Sequence, residues 1–405
     1  MHRPHLCNMS YTIQMKIKHL IVAAVALLIG TNAMAQTKKS FTLEDLMWGG
    51  NNYANIMPKY YGTAFWGDRL LKLDVDEVST LASNKGKAEK PRVLFTTDQL
   101  NAAIDTAKYG KVYNLLYAQF PSGSKSEVYL QTSKLNLLYN WQQRKVVWST
   151  ERTPGAYAND MSHYSHNEAF VKDWNLYVKT ADGKTHQVST DGSRELQYGL
   201  SVHRDEFGIR KGTFWSPKGH LLAFYRMDQS MVTDYPQVNI PEIGFDHPET
   251  QSCIATPAPD KYPMAGETSH QVTVGVFDCL TGKTIYLKAG DPTDRYFTNI
   301  AWSPDSKTVY MFEVNRDQND SRLTAYDAET GEKTGELYRE TDEKYVEPCH
   351  PIQFLPWDNS SFIMQSRKDG YNHLYLCTLG KHGSRMASNT ESLEIKQLTS
   401  GKWEV

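Results

Sequence analysis

The chain has 405 residues, which is enough for a large core in one or two domains. Its 44 basic and 46 acidic residues give a net charge of −2, and neither sign forms a long run. This balance excludes nucleic acid as the main partner, because phosphate binding needs a clustered basic surface. The 24 tyrosines and 9 tryptophans favour β structure, where aromatic side chains are enriched.

The N-terminal residues have the pattern of an export signal. Lys16 and Lys18 precede an apolar run over residues 20–29, and an Ala-Met-Ala cleavage pattern ends at residue 35. We therefore expect residues 1–35 to be a signal peptide and residues 36–405 to be the mature domain, exported to the periplasm, the cell surface or the medium. An uncleaved anchor is the alternative, although the apolar run is short for a membrane span.

The first elements are predicted to be helical. Thr42 with Asp45 three residues later indicates a capped helix over residues 41–46. A second helical turn or two is expected over residues 98–107. Further along the chain, short apolar alternations separated by Gly, Asp and Asn turns predict strands, for example at residues 128–130 and 135–139.

A weak repeat organises these strands. Residues 214–224 contain Phe-Trp-Ser-Pro-Lys-Gly, and residues 301–310 contain Ala-Trp-Ser-Pro-Asp-Ser; degenerate copies lie at 161–170 and 354–363. Proline fixes φ in the turn, and the flanking tryptophan and aliphatic residues can pack between sheets. The spacing of about 40–50 residues is typical of propeller blades. The sequence thus predicts an all-β fold, a β-propeller, with a β-sandwich as the alternative.

One segment interrupts this pattern. Residues 202–209, Val-His-Arg-Asp-Glu-Phe-Gly-Ile, break the strand alternation and place Asp205 beside Glu206. We expect a short acidic helix inserted in one blade. Adjacent helical positions point about 100° apart, so the two acids need not share one role.

No metal, cofactor or catalytic motif is found. Cys253, Cys279, Cys349 and Cys377 are too widely spaced for a zinc site, and both disulfides and free thiols remain open. His163 and His166 are three residues apart without a neighbouring acid, which favours a structural position at a blade edge. The sequence contains no G-x-S-x-G nucleophile motif and no phosphate-binding glycine motif.

Several contiguous motifs resemble the dipeptidyl peptidase IV group of the prolyl oligopeptidase family. Within that group they are most similar to bacterial prolyl tripeptidyl peptidases. The resemblance runs from about Phe41 to the last residue and is weakest over residues 75–148. The motifs lie at residues 41–50, 202–209, 212–219, 222–232, 262–266, 314–319 and 369–375.

The resemblance implies a serine exopeptidase in which an eight-bladed propeller, incomplete here, caps an α/β-hydrolase domain. It implies that Glu206 binds the free α-ammonium of a Pro-containing peptide, with Asp205 at the place of a second acid. Dipeptide and tripeptide release both stay open, and the family's carbonyl-binding arginine cannot be placed. The intact enzyme could be a homodimer.

The catalytic Ser-Asp-His set is expected in a C-terminal hydrolase domain that follows residue 405, since the chain ends in what reads as the middle of a blade. The family's function is removal of di- or tripeptides ending in proline. The competing hypothesis is a non-catalytic periplasmic propeller that binds peptides or proteins, because Trp-Ser-Pro repeats occur in such scaffolds too.

Overall fold

The computed structural model describes residues 40–47, 49–50, 52–58, 60–82, 90–240, 254–380 and 393–405. The predicted signal peptide, together with Cys253, lies outside the described residues. The chain divides into two compact units, residues 1–61 and 62–405.

The first unit contains two short helices, α1 (Leu43–Leu46) and α2 (Tyr53–Ile56). The predicted cap of α1 is confirmed. The Thr42 hydroxyl accepts from the Asp45 backbone N–H at 3.2 Å, and Asp45 Oδ2 accepts from the Thr42 N–H at 2.9 Å. This reciprocal pair satisfies two backbone donors that a helix start otherwise leaves free.

The described residues of the second unit form six antiparallel sheets of three to five strands, which we call blades 1 to 6, and two short two-stranded sheets. Blade 1 comprises β1 (Gly62–Trp66), β2 (Arg69–Leu73), β3 (Glu77–Ala82) and β4 (Val93–Thr96). Helices α3 (Thr97–Asn101) and α4 (Thr106–Tyr109) follow, where helical turns were predicted. Blade 2 comprises β5 (Glu127–Gln131), β6 (Leu135–Asn140) and β7 (Lys145–Glu151). Blade 3 comprises β8 (Tyr157–Met161), β9 (Glu168–Lys172), β10 (Asn175–Lys179) and β11 (Thr185–Gln187).

Blade 4 carries two additions, which are an insertion that splits its first strand, described below, and an arm of short strands. It begins with β12 (Leu196–Tyr198), β13 (Thr213–Trp215) and β14 (Leu221–Asp228) and ends with β19 (Gln271–Asp278) and β20 (Lys283–Tyr286). Between β14 and β19 an arm of short strands is formed by β15 (Asp234–Tyr235), β16 (Val238–Asn239), β17 (Thr256–Pro257) and β18 (Asp260–Lys261).

Blades 5 and 6 are regular four-stranded sheets. Blade 5 comprises β21 (Arg295–Trp302), β22 (Thr308–Asn315), β23 (Asp320–Asp327) and β24 (Lys333–Thr341). Blade 6 comprises β25 (Gln353–Leu355), β26 (Asp358–Ser366), β27 (His373–Thr378) and β28 (Glu394–Gln397). In both, each strand pairs with the next in chain order, so each sheet is an antiparallel meander.

The packing of successive blades explains the Trp-Ser-Pro repeat. The indole N–H of Trp215 in blade 4 donates to the Asp160 carbonyl in blade 3 at 3.1 Å, and Trp302 in blade 5 donates to the Phe214 carbonyl in blade 4 at 2.9 Å. Each of these two copies thus ties its own blade to the preceding one, and its Ser-Pro segment makes the turn into the second strand. This arrangement confirms the predicted β-propeller.

Two parts of the expected architecture differ from the structure. The described residues form six blades, so an eight-bladed ring stays a prediction. The expected acidic helix is instead a distorted 3-10 segment, whose geometry is described below. Cys279, Cys349 and Cys377 carry free thiols. No helix within the described ranges is long and apolar enough to cross a membrane.

Candidate functional site

The predicted site residues lie in an insertion that splits the first strand of blade 4. Strand β12 pairs with residues 226–228 of β14, and β13 pairs with residues 222–224. Residues 199–212 leave the sheet between these two ladders. Both ends of the insertion bond to Tyr225, which is fully buried: the Gly199 N–H donates to the Tyr225 carbonyl, and the Tyr225 N–H donates to the Gly212 carbonyl, each at 2.9 Å.

The backbone of the acidic segment is strained rather than helical. His203, Arg204, Asp205 and Phe207 all have φ between 54° and 63°, in the left-handed region that non-glycine residues rarely occupy. Glu206 lies between two of them with extended backbone, φ −60° and ψ 164°. Such strain persists only where surrounding contacts over-determine the conformation. The helix predicted here is therefore wrong in its local geometry, and its place inside one blade is as expected.

A buried histidine pair anchors the start of the segment. His203 is 2% exposed, and its Nε2 accepts the Phe297 backbone N–H at 3.1 Å. The neutral ring therefore carries its proton on Nδ1, which donates to His270 Nε2 at 2.8 Å. Burial holds the pKa of His203 well below its usual value. Burial, with Arg316 and Arg204 nearby, lowers the pKa of His270 to about 4.

A second anchor follows the acids. The Phe207 ring is buried and lies 5.2 Å from the Tyr296 ring, measured between centroids. The Phe207 carbonyl accepts from Asn299 Nδ2 at 3.1 Å, and the same amide donates to the carbonyl of Pro348, in the linker between blades 5 and 6. The two anchors leave residues 204–206 projecting between them.

The two acids themselves are exposed. Asp205 Oδ1 accepts a hydrogen bond from the Ser201 hydroxyl at the start of the insertion. The Glu206 carboxylate forms no hydrogen bond or ion pair with any residue in the described part of the chain. Burial and the carboxylate of Glu347 raise the pKa of the Cys349 thiol, and Glu206 lies close enough to that thiol to add to the effect. An exposed acid on an anchored segment is free to bind a cationic ligand.

Arg204 faces another part of the blade. Its guanidinium pairs with Asp260 at 2.7 Å and lies 4.8 Å from the centre of the Tyr262 ring. Both partners belong to the base of the β15–β18 arm. Arg204 is therefore engaged in the described structure and does not neutralise Glu206.

A large cleft borders the insertion. Its volume is about 1320 Å³, and Ser201 and Arg210, near the two ends of the insertion, are among its lining residues. Asp160 also lines it and binds Lys211 at 3.0 Å. The remaining lining comes mainly from blades 2 and 3.

The two histidines that were expected at a blade edge also line this cleft. His163 packs edge-on against Tyr129, and His166 stacks on Trp148 with 4.8 Å between ring centroids. Burial lowers the pKa of both histidines. Among the described residues no group of three or more His, Cys, Asp and Glu side chains is arranged to hold a metal ion.

Sequence reasoning singled out the two acids, whose role stays a prediction, and did not single out the residues that hold their segment. His203 lies inside the motif, directly after Val202, and could have been singled out as its one histidine. Asn299 lies 92 residues from Phe207 in the sequence, and no pattern marks it.

The sequence profile of the family described as the dipeptidyl peptidase IV N-terminal region matches residues 120–405. The probable dipeptidyl-aminopeptidase B of Phaeosphaeria nodorum is 29% identical over 264 residues, covering 58% of this chain and 27% of that protein. That of Uncinocarpus reesii is 27% identical over 260 residues, covering 60% and 27%. The chain thus spans about a quarter of the length of the curated relatives it matches.

Solved structures show the same fold. A Bacteroides ovatus protein, described as a dipeptidyl aminopeptidase IV, is 42% identical with a TM-score of 0.72, over 91% of this chain and 50% of that one. Dipeptidyl peptidase 4 of Porphyromonas gingivalis is 19% identical with a TM-score of 0.64 over the same shares, which shows the fold alone. Because the family profile covers well over half of its residues, the chain belongs to the dipeptidyl peptidase IV N-terminal region family.

Proposed function

We propose that this chain is the substrate-gating N-terminal part of a serine exopeptidase that removes di- or tripeptides ending in proline from free peptide N-termini. Glu206 binds the substrate α-ammonium, and Asp205 assists. The observation that carries the proposal is the Glu206 carboxylate, which is exposed and unpaired among the described residues on a segment anchored at both ends.

The chemistry suits an enzyme that counts residues from a free N-terminus. A carboxylate at a fixed position accepts charge-assisted hydrogen bonds from the ammonium group, worth about 1.5–3 kcal/mol. A peptide that extends beyond this point would leave the acid unpaired and be rejected. The Ser201 hydroxyl already occupies one oxygen of Asp205, so we assign the larger share of binding to Glu206.

The rest of the enzyme belongs to the proposal as well. The curated relatives are much longer than this chain, and an α/β-hydrolase domain beyond residue 405 would supply the serine, histidine and acid. We further propose that residues 1–35 are an export signal, so that the enzyme acts in the periplasm, on the cell surface or in the medium. The intact enzyme is proposed to act as a homodimer.

A substitution in the full-length enzyme tests the role of Glu206. Glu206→Gln keeps the shape and removes the charge, so kcat/KM for a free-amine X-Pro or X-X-Pro substrate should fall about tenfold or more. The matched control is Glu329→Gln, an exposed acid in the turn after β23, which should leave kcat/KM unchanged. Both variants should unfold at the wild-type temperature, since exposed unpaired acids contribute little to stability. Unchanged cleavage by Glu206→Gln would refute the proposal.

A second candidate is a non-catalytic module that binds peptides or proteins, and the cleft of about 1320 Å³ beside the insertion favours it. Calorimetry on residues 36–405, the expected mature chain, separates the two candidates. A peptidase gate binds a free-amine peptide and not its N-acetylated form, because acetylation removes the positive charge. A general binding module binds both forms equally and is insensitive to Glu206→Gln.

A further inference from the structure

We propose that Asn299 is a positioning residue that fixes where the Glu206 carboxylate stands. This inference rests on the proposed function, since it explains how the ammonium-binding acid is held. Asn299 belongs to blade 5 and has no contact with a substrate in the proposal. Its part is to join the insertion of blade 4 to the linker between blades 5 and 6.

The backbone of blade 5 is adapted to present this side chain. Asn299 lies in β21 where the register with β22 shifts, between Thr298 and Ala301. Its φ is 55°, a left-handed conformation that asparagine tolerates better than most residues. The residue is 7% exposed, so its amide works in a nearly dry environment where polar contacts matter most.

The side-chain amide of Asn299 donates both to the insertion of blade 4 and to the linker between blades 5 and 6. Asn299 Nδ2 lies 3.1 Å from the Phe207 carbonyl and also donates to the Pro348 carbonyl, with the Thr298 hydroxyl 2.8 Å away. Phe207 directly follows Glu206, and Pro348 directly precedes Cys349. The same two hydrogens thus set the distance between the segment that carries the acid and the linker beside it.

Gly208 shows how closely these two segments approach. Its φ is +71°, and a Cβ placed there would lie 2.3 Å from the Cys349 carbonyl oxygen, closer than any real contact. The segments therefore touch backbone to backbone next to the Asn299 bridge. A small rotation of the Phe207 peptide plane would turn the preceding residue, and a misplacement of about 1 Å in a binding group can reduce catalysis about 100-fold.

The variants are chosen to keep the backbone. Asn299→Gly removes the amide and accepts φ 55° without strain, whereas an alanine would add strain of its own. Asn299→Asp keeps the shape and replaces the donor with an acceptor facing two carbonyls. The matched control is Ser306→Gly, which removes another buried side chain at positive φ from the same blade and does not contact the insertion. Thermal melting of each variant establishes that it folds.

A reporter that does not depend on activity is the Cys349 thiol. Burial, Glu347 and Glu206 together raise the pKa of this thiol, so Glu206→Gln should increase the alkylation rate of Cys349 below that pKa, because the thiolate is the reactive form. Peptide mapping by mass spectrometry measures the alkylation of Cys349 separately from that of the other cysteines. If Asn299 fixes the acid near the thiol, the increase on Glu206→Gln should shrink in the Asn299→Gly and Asn299→Asp backgrounds and persist in Ser306→Gly. An equal increase in all backgrounds would overturn the inference.

Kinetics on the full-length enzyme complete the test. Asn299→Gly should lower kcat/KM for free-amine substrates about tenfold, and adding it to Glu206→Gln should cause little further loss, because both remove the same interaction. Full additivity, or no effect of Asn299→Gly beside a loss in Glu206→Gln, refutes the positioning role and leaves the proposed function standing. No effect of Glu206→Gln refutes the proposed function itself.

Discussion

Blades 4 and 5 carry the same Trp-Ser-Pro motif at the end of the first strand, and the motif makes the same kind of contact in both. Trp215 and Trp302 each donate an indole N–H to a first-strand carbonyl of the preceding blade. In blade 5 the first strand runs as one element from Arg295 to Trp302, with four consecutive buried residues and one register shift between Thr298 and Ala301. In blade 4 the corresponding strand is split by residues 199–212, which carry the acids.

The difference separates two uses of one architecture. The repeat ties blades together and is present in both, so it serves the fold. Between its two ends the insertion does not pair with β14, and four of its non-glycine residues have left-handed backbone. Their conformation must therefore be imposed by contacts with neighbours such as His270 and Asn299. Blade 5 supplies part of that restraint. The following three predictions test this division, starting with the largest effect.

The largest expected effect on stability comes from the buried core that blade 5 shares with blade 6. Leu323 in β23 is fully buried in a cluster shared with blade 6, so Leu323→Ala should lower the free energy of unfolding by about 2–5 kcal/mol. Leu280→Ala removes the same side chain at a position that is 80% exposed and should change stability by less than about 0.5 kcal/mol. Urea titrations measure both. Equal effects would contradict the assignment of blade 5 as structural core.

The insertion should make blade 4 sensitive to acid. His203 and His270 have folded-state pKa values below the unfolded value of about 6.5, so the unfolded chain binds more protons between that pH and about 4. The contribution of these two histidines to the free energy of unfolding should therefore be fully present above pH 6.5. The free energy of unfolding should fall by on the order of 2 kcal/mol as the pH drops to 4.

Urea midpoints between pH 7 and pH 4.5 measure this loss. His270→Gln, which keeps an acceptor for His203, should flatten the dependence, and the exposed control His350→Gln should not. A profile that His270→Gln leaves unchanged would assign the acid sensitivity to other groups.

The smallest of the three effects concerns the shared motif. Trp215→Phe and Trp302→Phe each remove one hydrogen bond between blades, and each should cost about 1–2 kcal/mol. The two losses should be similar if the repeat has one role in both blades. A much larger loss for Trp215→Phe would mean that the insertion depends on its own blade's tryptophan. Thermal or urea unfolding of the matched pair decides this.

The sequence predicts the propeller well because its signals are local. Strand alternation, turn residues and the Trp-Ser-Pro spacing each lie within a few residues, and Thr42 with Asp45 defines a helix cap by itself. The prediction of an acidic helix is wrong in its backbone geometry, because His203 and Phe207 make separate buried contacts that override the local helical conformation. The anchors of the site, His270 and Asn299, were missed because they are distant along the chain and adjacent only after folding.

The left-handed run at His203, Arg204, Asp205 and Phe207 has a consequence for anyone who engineers this protein for heat tolerance. Glycine relieves such strain, which amounts to about 1–2 kcal/mol per residue before the entropy of the freer unfolded chain is deducted. Selection for thermal endurance alone would therefore drift toward glycine at Arg204 or Asp205. The resulting chain would survive heating and lose the rigidity that holds Glu206, so under the proposed function a more heat-tolerant protein would select its substrates less strictly.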